Sequence, residues 1–184
     1  PDHQVDDGTG RKLSRGFFLS NSEVGKGSVK LVEYLFAQVC GNHIIWDATN
    51  VTEVNYRHIG DIVPRVNKAL GEAYTRLTVF SRKEKLEKEL ASLRKIEIAP
   101  TKEETVDTLY GMRIDQKLTK SVLGSAYDYA EQYGETDGGN PNTPWGLVQG
   151  MTRLSQTYIN GSDRFDIETA GGKILTKYAS LATA

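Results

Sequence analysis

The stretch Ile62-Val-Pro-Arg-Val-Asn-Lys-Ala-Leu-Gly-Glu-Ala-Tyr-Thr-Arg-Leu77 decides the fold, because the spacing of apolar residues changes there. Within it, apolar side chains recur every three or four residues, which is the spacing of one face of an α-helix. The same spacing of leucines continues through residues 81–95, so the sequence predicts one long helix or two helices in succession. Before Gly60 the apolar pattern has a short period and is rich in β-branched residues, which is typical of strands.

A flexible arm and a small sheet are predicted ahead of this helix. Residues 1–15 are polar and contain glycine, so we expect them to form the arm. The sheet is expected over residues 16–59, and short turns between its strands favour an antiparallel meander, although a helix is an alternative for the middle of the second strand. The three strands are expected at about residues 16–21, 29–40 and 43–56, with turns at Gly25-Lys26-Gly27-Ser28 and Gly41-Asn42.

Helices are predicted for most of residues 60–184. Thr101-Lys-Glu-Glu104 fits a capping box, in which the Thr hydroxyl and the Glu carboxylate each accept from a free backbone N–H. Thr143 and Pro144 are typical of a second helix start, after a glycine-rich loop over residues 134–141. A last helix is expected near residues 169–182. The side chains expected to face inward are Val106, Leu109, Tyr110, Val122, Leu123, Ala126, Tyr127, Ala130, Trp145, Val148, Met151, Leu154 and Tyr158.

These patterns together define the expected fold class. It is α+β, with a small antiparallel meander of about three strands, then a long helix and a C-terminal helical bundle. Residues 16–184 are expected to form a single domain of this class, because 184 residues can build one hydrophobic core. The single cysteine excludes an internal disulfide and a cysteine-based metal cage. No apolar run is long enough to span a membrane and no secretion leader is visible, so a cytoplasmic protein is expected.

Charge is unevenly distributed along the chain. The whole sequence has 23 Lys+Arg and 24 Asp+Glu, a formal net charge of −1, which excludes a generally basic protein. Residues 60–98, however, carry nine basic and six acidic side chains, whereas the segments on either side are net acidic. A polyanion would therefore have to bind at a local patch in or near this segment.

The sequence gives only weak evidence for a catalytic or a metal-binding site. A cysteine nucleophile activated by a histidine is one interpretation of the neighbouring residues Cys40, Asn42 and His43. The more common interpretation of a single cysteine is a buried side chain without a catalytic role. The three histidines lack the spacing of a preset metal site, and the glycines at residues 25–28 lack the spacing of a phosphate loop. We therefore expect no enzyme activity, no metal and no cofactor.

The basic helix offers a better candidate site. Arg65, Lys68 and Arg76 fall on the side of the predicted helix opposite its apolar stripe. The preceding strands add further cations and the aromatic residues Tyr34 and Tyr56. Interleaved cations and aromatic rings bind single-stranded nucleic acid, although a merely solvated face is the alternative. The predicted nucleic-acid-binding residues are Lys26, Lys30, Trp46, Arg57, Arg65, Lys68 and Arg76.

Three short segments carry a family resemblance: Ser20-Asn21-Ser22-Glu23-Val24-Gly25, Val39-Cys40-Gly41-Asn42 and Asn142-Thr143-Pro144-Trp145. Their order and spacing resemble a phage/plasmid-like protein family, a domain of unknown function (932), over residues 17–158. The resemblance implies a phage, prophage or plasmid origin, and it implies that Asn21, Glu23 and Asn42 could line a site. His43 departs from the glycine of the family pattern. The order of three strands and a long helix is similar to the Red-beta and RecT single-strand annealing recombinases.

Two functions from different classes follow from these observations. The first is a non-enzymatic, homo-oligomeric protein of a mobile element that binds single-stranded DNA in the host cytoplasm and possesses no membrane partner. The second is a protein-interaction module, such as a host-defence inhibitor or a scaffold, that pairs helices through residues 84–95. An enzyme acting through Cys40 ranks third.

Overall fold

A computed structural model describes residues 4–20, 30–37, 42–45, 63–78 and 80–182. In these ranges four strands precede six helices, which confirms the α+β class. The strands are β1 (Gln4–Asp6), β2 (Lys12–Ser20), β3 (Lys30–Ala37) and β4 (Asn42–Ile44). The helices are α1 (Val63–Thr78), α2 (Phe80–Leu93), α3 (Lys102–Met112), α4 (Lys120–Asp137), α5 (Pro144–Ser155) and α6 (Gly161–Ala182).

The strands form the predicted antiparallel meander, in the spatial order β1-β2-β3-β4. Val5 pairs with Leu13, and Leu35 pairs with Ile44. All four side chains are buried, so this face of the sheet belongs to the hydrophobic core. Helices α2 to α6 all contribute side chains to the same core, and α2, α5 and α6 contact the sheet through β1 and β4.

The expected arm over residues 1–15 is wrong for residues 4–15. Residues 4–6 form an extra edge strand, and β2 begins at Lys12 rather than at residue 16. Val5 is fully buried, which no flexible arm would allow. The polar composition misled the prediction, because a three-residue edge strand needs only one apolar side chain to join the core.

The leucine stripe of α2 packs inside the chain. Leu86, Leu90 and Leu93 are buried in the core, and α2 contacts β1, α5 and α6. The expected burial of this stripe is confirmed. The same burial counts against the predicted helix pairing through residues 84–95, because the leucines that would join a partner are already covered.

Both predicted helix starts are confirmed. The Thr101 hydroxyl accepts from the Glu104 N–H at 3.3 Å and donates to the Glu104 carboxylate at 2.8 Å. The Glu104 carboxylate thus bonds the Thr101 hydroxyl rather than the backbone N–H that a capping box predicts. The Thr143 hydroxyl accepts from the Gly146 N–H at 3.1 Å, with Pro144 as the first helical residue. Among the described helices none is long and apolar enough to cross a membrane.

Three details of the helical part differ from the prediction. Helix α4 continues to Asp137, where Gly138 ends it in the left-handed conformation. The loop predicted from residue 134 therefore begins only after the helix ends. Helix α6 begins at Gly161, eight residues before the predicted start. Tyr110 is half exposed rather than inward, and its ring lies 5.6 Å from Lys120 Nζ.

Helices α4 and α5 cross with almost no space between their backbones. A Cβ added at Gly150 would stand 1.9 Å from the Ala126 carbonyl oxygen and 2.7 Å from the Ala130 nitrogen. Only glycine at residue 150 permits this approach. Trp145, five residues before it on α5, is buried in the core.

Two arginines fasten the β1–β2 turn to the C-terminal end of α4, and we call this arrangement the arginine clamp. Arg11 donates to the carbonyls of Glu135 and Thr136, and Arg94 donates to the carbonyl of Gly138. Such groups satisfy the free carbonyls at a helix end and complement its negative dipole. Arg94 also donates to the buried Asp7 carboxylate at 2.8 Å, so one side chain joins the sheet, α2 and α4.

A second ionic contact ties the segment between α3 and α4 to α6. Lys173 Nζ donates to the Asp115 carboxylate, and Lys117 Nζ lies 2.7 Å from Asp166. Burial opposes ionisation of Asp115, but hydrogen bonds from Lys173 and from the Lys117 backbone outweigh it. The pKa of Asp115 therefore lies below its ordinary value.

Acid is expected to weaken this tie. Because the folded-state pKa of Asp115 is lowered, its contribution is complete above the unfolded pKa of 3.8 and disappears as pH falls through the folded value. Asp115→Asn should therefore reduce the free energy of unfolding at neutral pH and make little difference at the lowest pH. Urea titrations of both proteins across this pH range measure the difference. An equal loss at every pH would contradict the assignment.

Candidate nucleic-acid interface

The structure brings together two of the elements that carry the predicted site. Lys30 begins β3 and pairs with Ser20 of β2, and helix α1 contacts both β2 and β3. Arg65, Lys68 and Arg76 all belong to α1. Helix α1 and the sheet are therefore neighbours. The other predicted site residues, Lys26, Trp46 and Arg57, lie outside the described residues.

Helix α1 has a clear solvent face. Lys68 is exposed on this face. Among the α1 side chains that the structure describes, it is the one that carries a positive charge. The described exposed residues of α1 are Val63, Pro64, Asn67, Lys68, Gly71, Tyr74 and Thr75.

Tyr34 and Gly16 form an aromatic platform on the outer face of the sheet. They are paired across β3 and β2, and Tyr34 neighbours Leu35, whose side chain enters the core on the opposite face. A Cβ at Gly16 would stand 2.9 Å from Tyr34 Cζ and 3.0 Å from its Oη. The Tyr34 ring therefore lies across β2, in the space that a side chain at residue 16 would fill. Since the ring is only half-buried, it remains partly accessible.

A carboxylate, that of Asp6, lies at one end of this outer face. Asp6 of β1 lies 3.0 Å from Lys12 Nζ and also accepts from the N–H groups of Gly8 and Gly10. The hydrogen bonds from Lys12 and Gly8 hold the pKa of Asp6 below its ordinary value. Lys12 is thus already paired with a carboxylate.

The family-like segment at residues 142–145 serves the fold. Asn142 accepts from the Tyr127 hydroxyl at 2.7 Å and donates to the Pro100 carbonyl at 3.1 Å. Thr143 caps α5, and Trp145 is 1% exposed. These residues therefore hold helix ends and the core together.

The other predicted candidates are mostly outside the described residues. Asn21, Glu23 and Cys40 lie there, whereas Asn42 pairs with Ala37 in the sheet. His43 pairs with Phe36 in the same strands. Within residues 4–20, 30–37, 42–45, 63–78 and 80–182, no three His, Cys, Asp or Glu side chains gather as metal ligands.

Comparison with known proteins places the chain in a family. Neither curated proteins nor solved structures include a match to it. A family model described as a domain of unknown function (DUF932) matches residues 3–161, which is most of the 184-residue chain. The match covers the whole described sheet and the helices up to the start of α6. The chain therefore belongs to the DUF932 family.

Proposed function

We propose that this protein binds single-stranded DNA without catalysing a reaction, and that it comes from a phage or plasmid. The observation that carries the proposal is the Tyr34 ring, which lies across Gly16 on the outer face of the sheet beside a cation-bearing helix. Aromatic rings on a sheet stack with unpaired bases, whose faces are hidden within a duplex. The cations of α1 and Lys30 supply the attraction for phosphate.

The proposal predicts how steeply the binding constant for DNA falls as the salt concentration rises. Six of the proposed residues are cations, and single-stranded binding changes with salt by about 0.7 logarithmic units per phosphate neutralised. Full engagement of all six gives a slope of about −4 in log K against log salt. The six are Lys26, Lys30, Arg57, Arg65, Lys68 and Arg76.

Fluorescence anisotropy with an unstructured oligothymidine tests the proposal directly. Binding should be measurable at low salt, should weaken steeply as salt rises, and should exceed binding to a duplex of the same length. Absence of binding at low salt would refute it. Native mass spectrometry of the same samples tests the proposed homo-oligomer, and a strand-annealing assay with complementary oligonucleotides tests the proposed annealing activity.

Tyr34→Ala is expected to weaken binding by the value of one stacked base, about 1–3 kcal/mol. Tyr34→Phe keeps the ring and should bind nearly as tightly as the wild type. Tyr110→Ala is the matched control, because Tyr110 is also exposed but belongs to α3, which contacts α4. Equal anisotropy curves for Tyr34→Ala and Tyr110→Ala would exclude the platform as a binding site.

Lys68→Gln is expected to make the salt dependence shallower by about 0.7 logarithmic units, since one phosphate contact disappears. The effect should be similar for every oligonucleotide sequence, because phosphate contacts carry no sequence information. Lys177→Gln, on the exposed side of α6, removes the same charge elsewhere and should leave the slope unchanged. A slope unaffected by Lys68→Gln would place Lys68 outside the interface.

A further inference from the structure

An asparagine-glycine pair, Asn160 and Gly161, lies at the start of α6. Asn160 is the one asparagine of the sequence that a glycine follows. Both residues are exposed, and Ile159 directly before them is fully exposed. A Cβ added at Gly161 would meet no described atom within 4 Å apart from those of its chain neighbours and its own helix backbone. Water therefore reaches both residues of the pair.

The side chain of Asn160 is folded back over the first residues of α6. Its Oδ1 accepts from the Ser162 N–H at 2.9 Å, and its backbone carbonyl accepts from the Arg164 N–H at 3.1 Å. Both bonds are typical of an N-cap residue. The first bond closes a ring of atoms that contains the Asn160 Cγ and the Gly161 nitrogen. These two atoms are therefore confined to one short turn of the chain.

The hydrogen bonds at this turn favour attack of the Gly161 nitrogen on the Asn160 Cγ. Within residues 80–182 the Gly161 N–H donates no hydrogen bond, because the first N–H groups of a helix have no acceptor inside it. The Ser162 N–H, in contrast, already bonds the Asn160 Oδ1. A backbone N–H bonds an oxygen more strongly once that oxygen gains negative charge, as the Oδ1 does during such an attack.

We propose that Asn160 is a self-modification site, at which the Gly161 nitrogen converts Asn160 to aspartate and isoaspartate. The Gly161 nitrogen forms a bond to the Asn160 Cγ, and the side-chain amide nitrogen leaves as ammonia with the proton that the Gly161 nitrogen gives up. The product is a cyclic imide. Solvent water then adds to either carbonyl of the imide and opens it, which yields aspartate or isoaspartate. Glycine permits the attack because it has no side chain beside its nitrogen.

The two products change the start of α6 in different ways. Aspartate caps a helix as well as asparagine does, and its negative charge is favourable at a helix N-terminus. Isoaspartate instead adds a methylene to the main chain, which displaces the carbonyl that accepts from the Arg164 N–H. Because Ile174 and Leu175 of α6 are fully buried in the core, this displacement should lower the melting temperature. Asn160→Asp should melt at the wild-type temperature or above it.

Incubation of the full chain at mildly alkaline pH, followed by peptide mass spectrometry and isoaspartate detection, tests the proposal. The Asn160 peptide of the wild type should gain the mass difference between OH and NH2, and it should do so before any other asparagine peptide. Gly161→Pro should retain Asn160, because the proline nitrogen has no proton to give up and proline is favoured at the first helical position. Asn160→Ser keeps an N-cap residue and measures the conversion of the other asparagines.

A synthetic peptide of residues 156–165 shows the rate without the folded helix. If this peptide converts while the folded protein retains Asn160, the helix start protects the residue and the proposal is refuted. It is also refuted if neither converts. Conversion of Gly161→Pro at the wild-type rate would exclude the Gly161 nitrogen as the nucleophile. None of these results depends on DNA binding, so the proposed function is tested separately.

Discussion

Gly150→Ala is expected to destabilise the protein by at least about 3 kcal/mol, at the upper end of the range for overpacked cores. The added Cβ would stand 1.9 Å from the Ala126 carbonyl oxygen, so helices α4 and α5 would have to separate. The obstacle is backbone, which cannot move aside as a flexible side chain can. For a chain of this size the loss lowers the melting temperature by about 6–12 °C.

Gly124→Ala provides the control for helix propensity. Gly124 is in α4 itself, and its added Cβ would meet no described atom within 4 Å apart from those of its chain neighbours and its own helix backbone. This variant should be as stable as the wild type or more stable by up to about 1 kcal/mol. Differential scanning calorimetry compares the two variants. If Gly150→Ala melted at the wild-type temperature, the close crossing of α4 and α5 would be disproved.

Asp7→Ala is expected to cost about 3–5 kcal/mol, the usual loss when one partner of a buried ion pair is removed. The Asp7 side chain is 2% exposed and that of Arg94 is 15% exposed, so the guanidinium would lose its counter-charge where water reaches it poorly. Asp7 also accepts from the N–H and the hydroxyl of Thr9, which hold the β1–β2 turn. The variant should therefore loosen the turn as well as the arginine clamp.

Asp128→Ala is the control variant, because it removes an exposed carboxylate rather than a buried one. Asp128 and its partner Lys102 are 60% and 45% exposed, and pairs in water contribute at most about 1 kcal/mol. Chemical denaturation of both variants at neutral pH gives the two free energies of unfolding. A loss for Asp7→Ala no larger than that for Asp128→Ala would show that the Asp7–Arg94 pair does not stabilise the fold.

Features that depend on neighbouring residues were predictable from the sequence. The caps at Thr101 and Thr143 are confirmed because each hydroxyl bonds a backbone N–H only three residues away. The apolar stripes of α2, α3 and α5 are confirmed for the same reason, since one face of a helix repeats every three or four residues. Leu90, Leu109 and Met151, for example, are all fully buried.

The apolar stripe expected for α1 is wrong at two positions. Val63 and Tyr74 fit that stripe by spacing, but the structure leaves them 61% and 67% exposed.

Features that depend on distant residues were not predictable. Strand β1 contains one apolar residue, Val5, and it is recognisable as a strand only through its pairing with Leu13. Tyr110 fits the apolar stripe of α3 by spacing, but the structure leaves half of its surface in water beside Lys120. The arginine clamp and the close contact at Gly150 likewise join elements that are distant in the sequence. No local sequence pattern predicts that these elements are in contact.

The candidate site was predicted in part. Its cations are visible in the sequence because a helical wheel places Lys68 opposite an apolar stripe. The contact of Tyr34 with Gly16 requires the register of β2 against β3, which the long segment between these strands does not fix.

The arginine clamp also sets an order of events during synthesis. Arg11 and the Thr136 carbonyl that it contacts are 125 residues apart. At a translation rate of about 5–20 residues per second, the acceptor is made roughly 6–25 s after the arginine. Until then the β1–β2 turn cannot acquire its final anchor, however early its strands pair. The sheet precedes the helices in the chain but cannot complete its contacts until α4, α5 and α6 have been made. Nascent chains that end before α4 should therefore remain protease-sensitive.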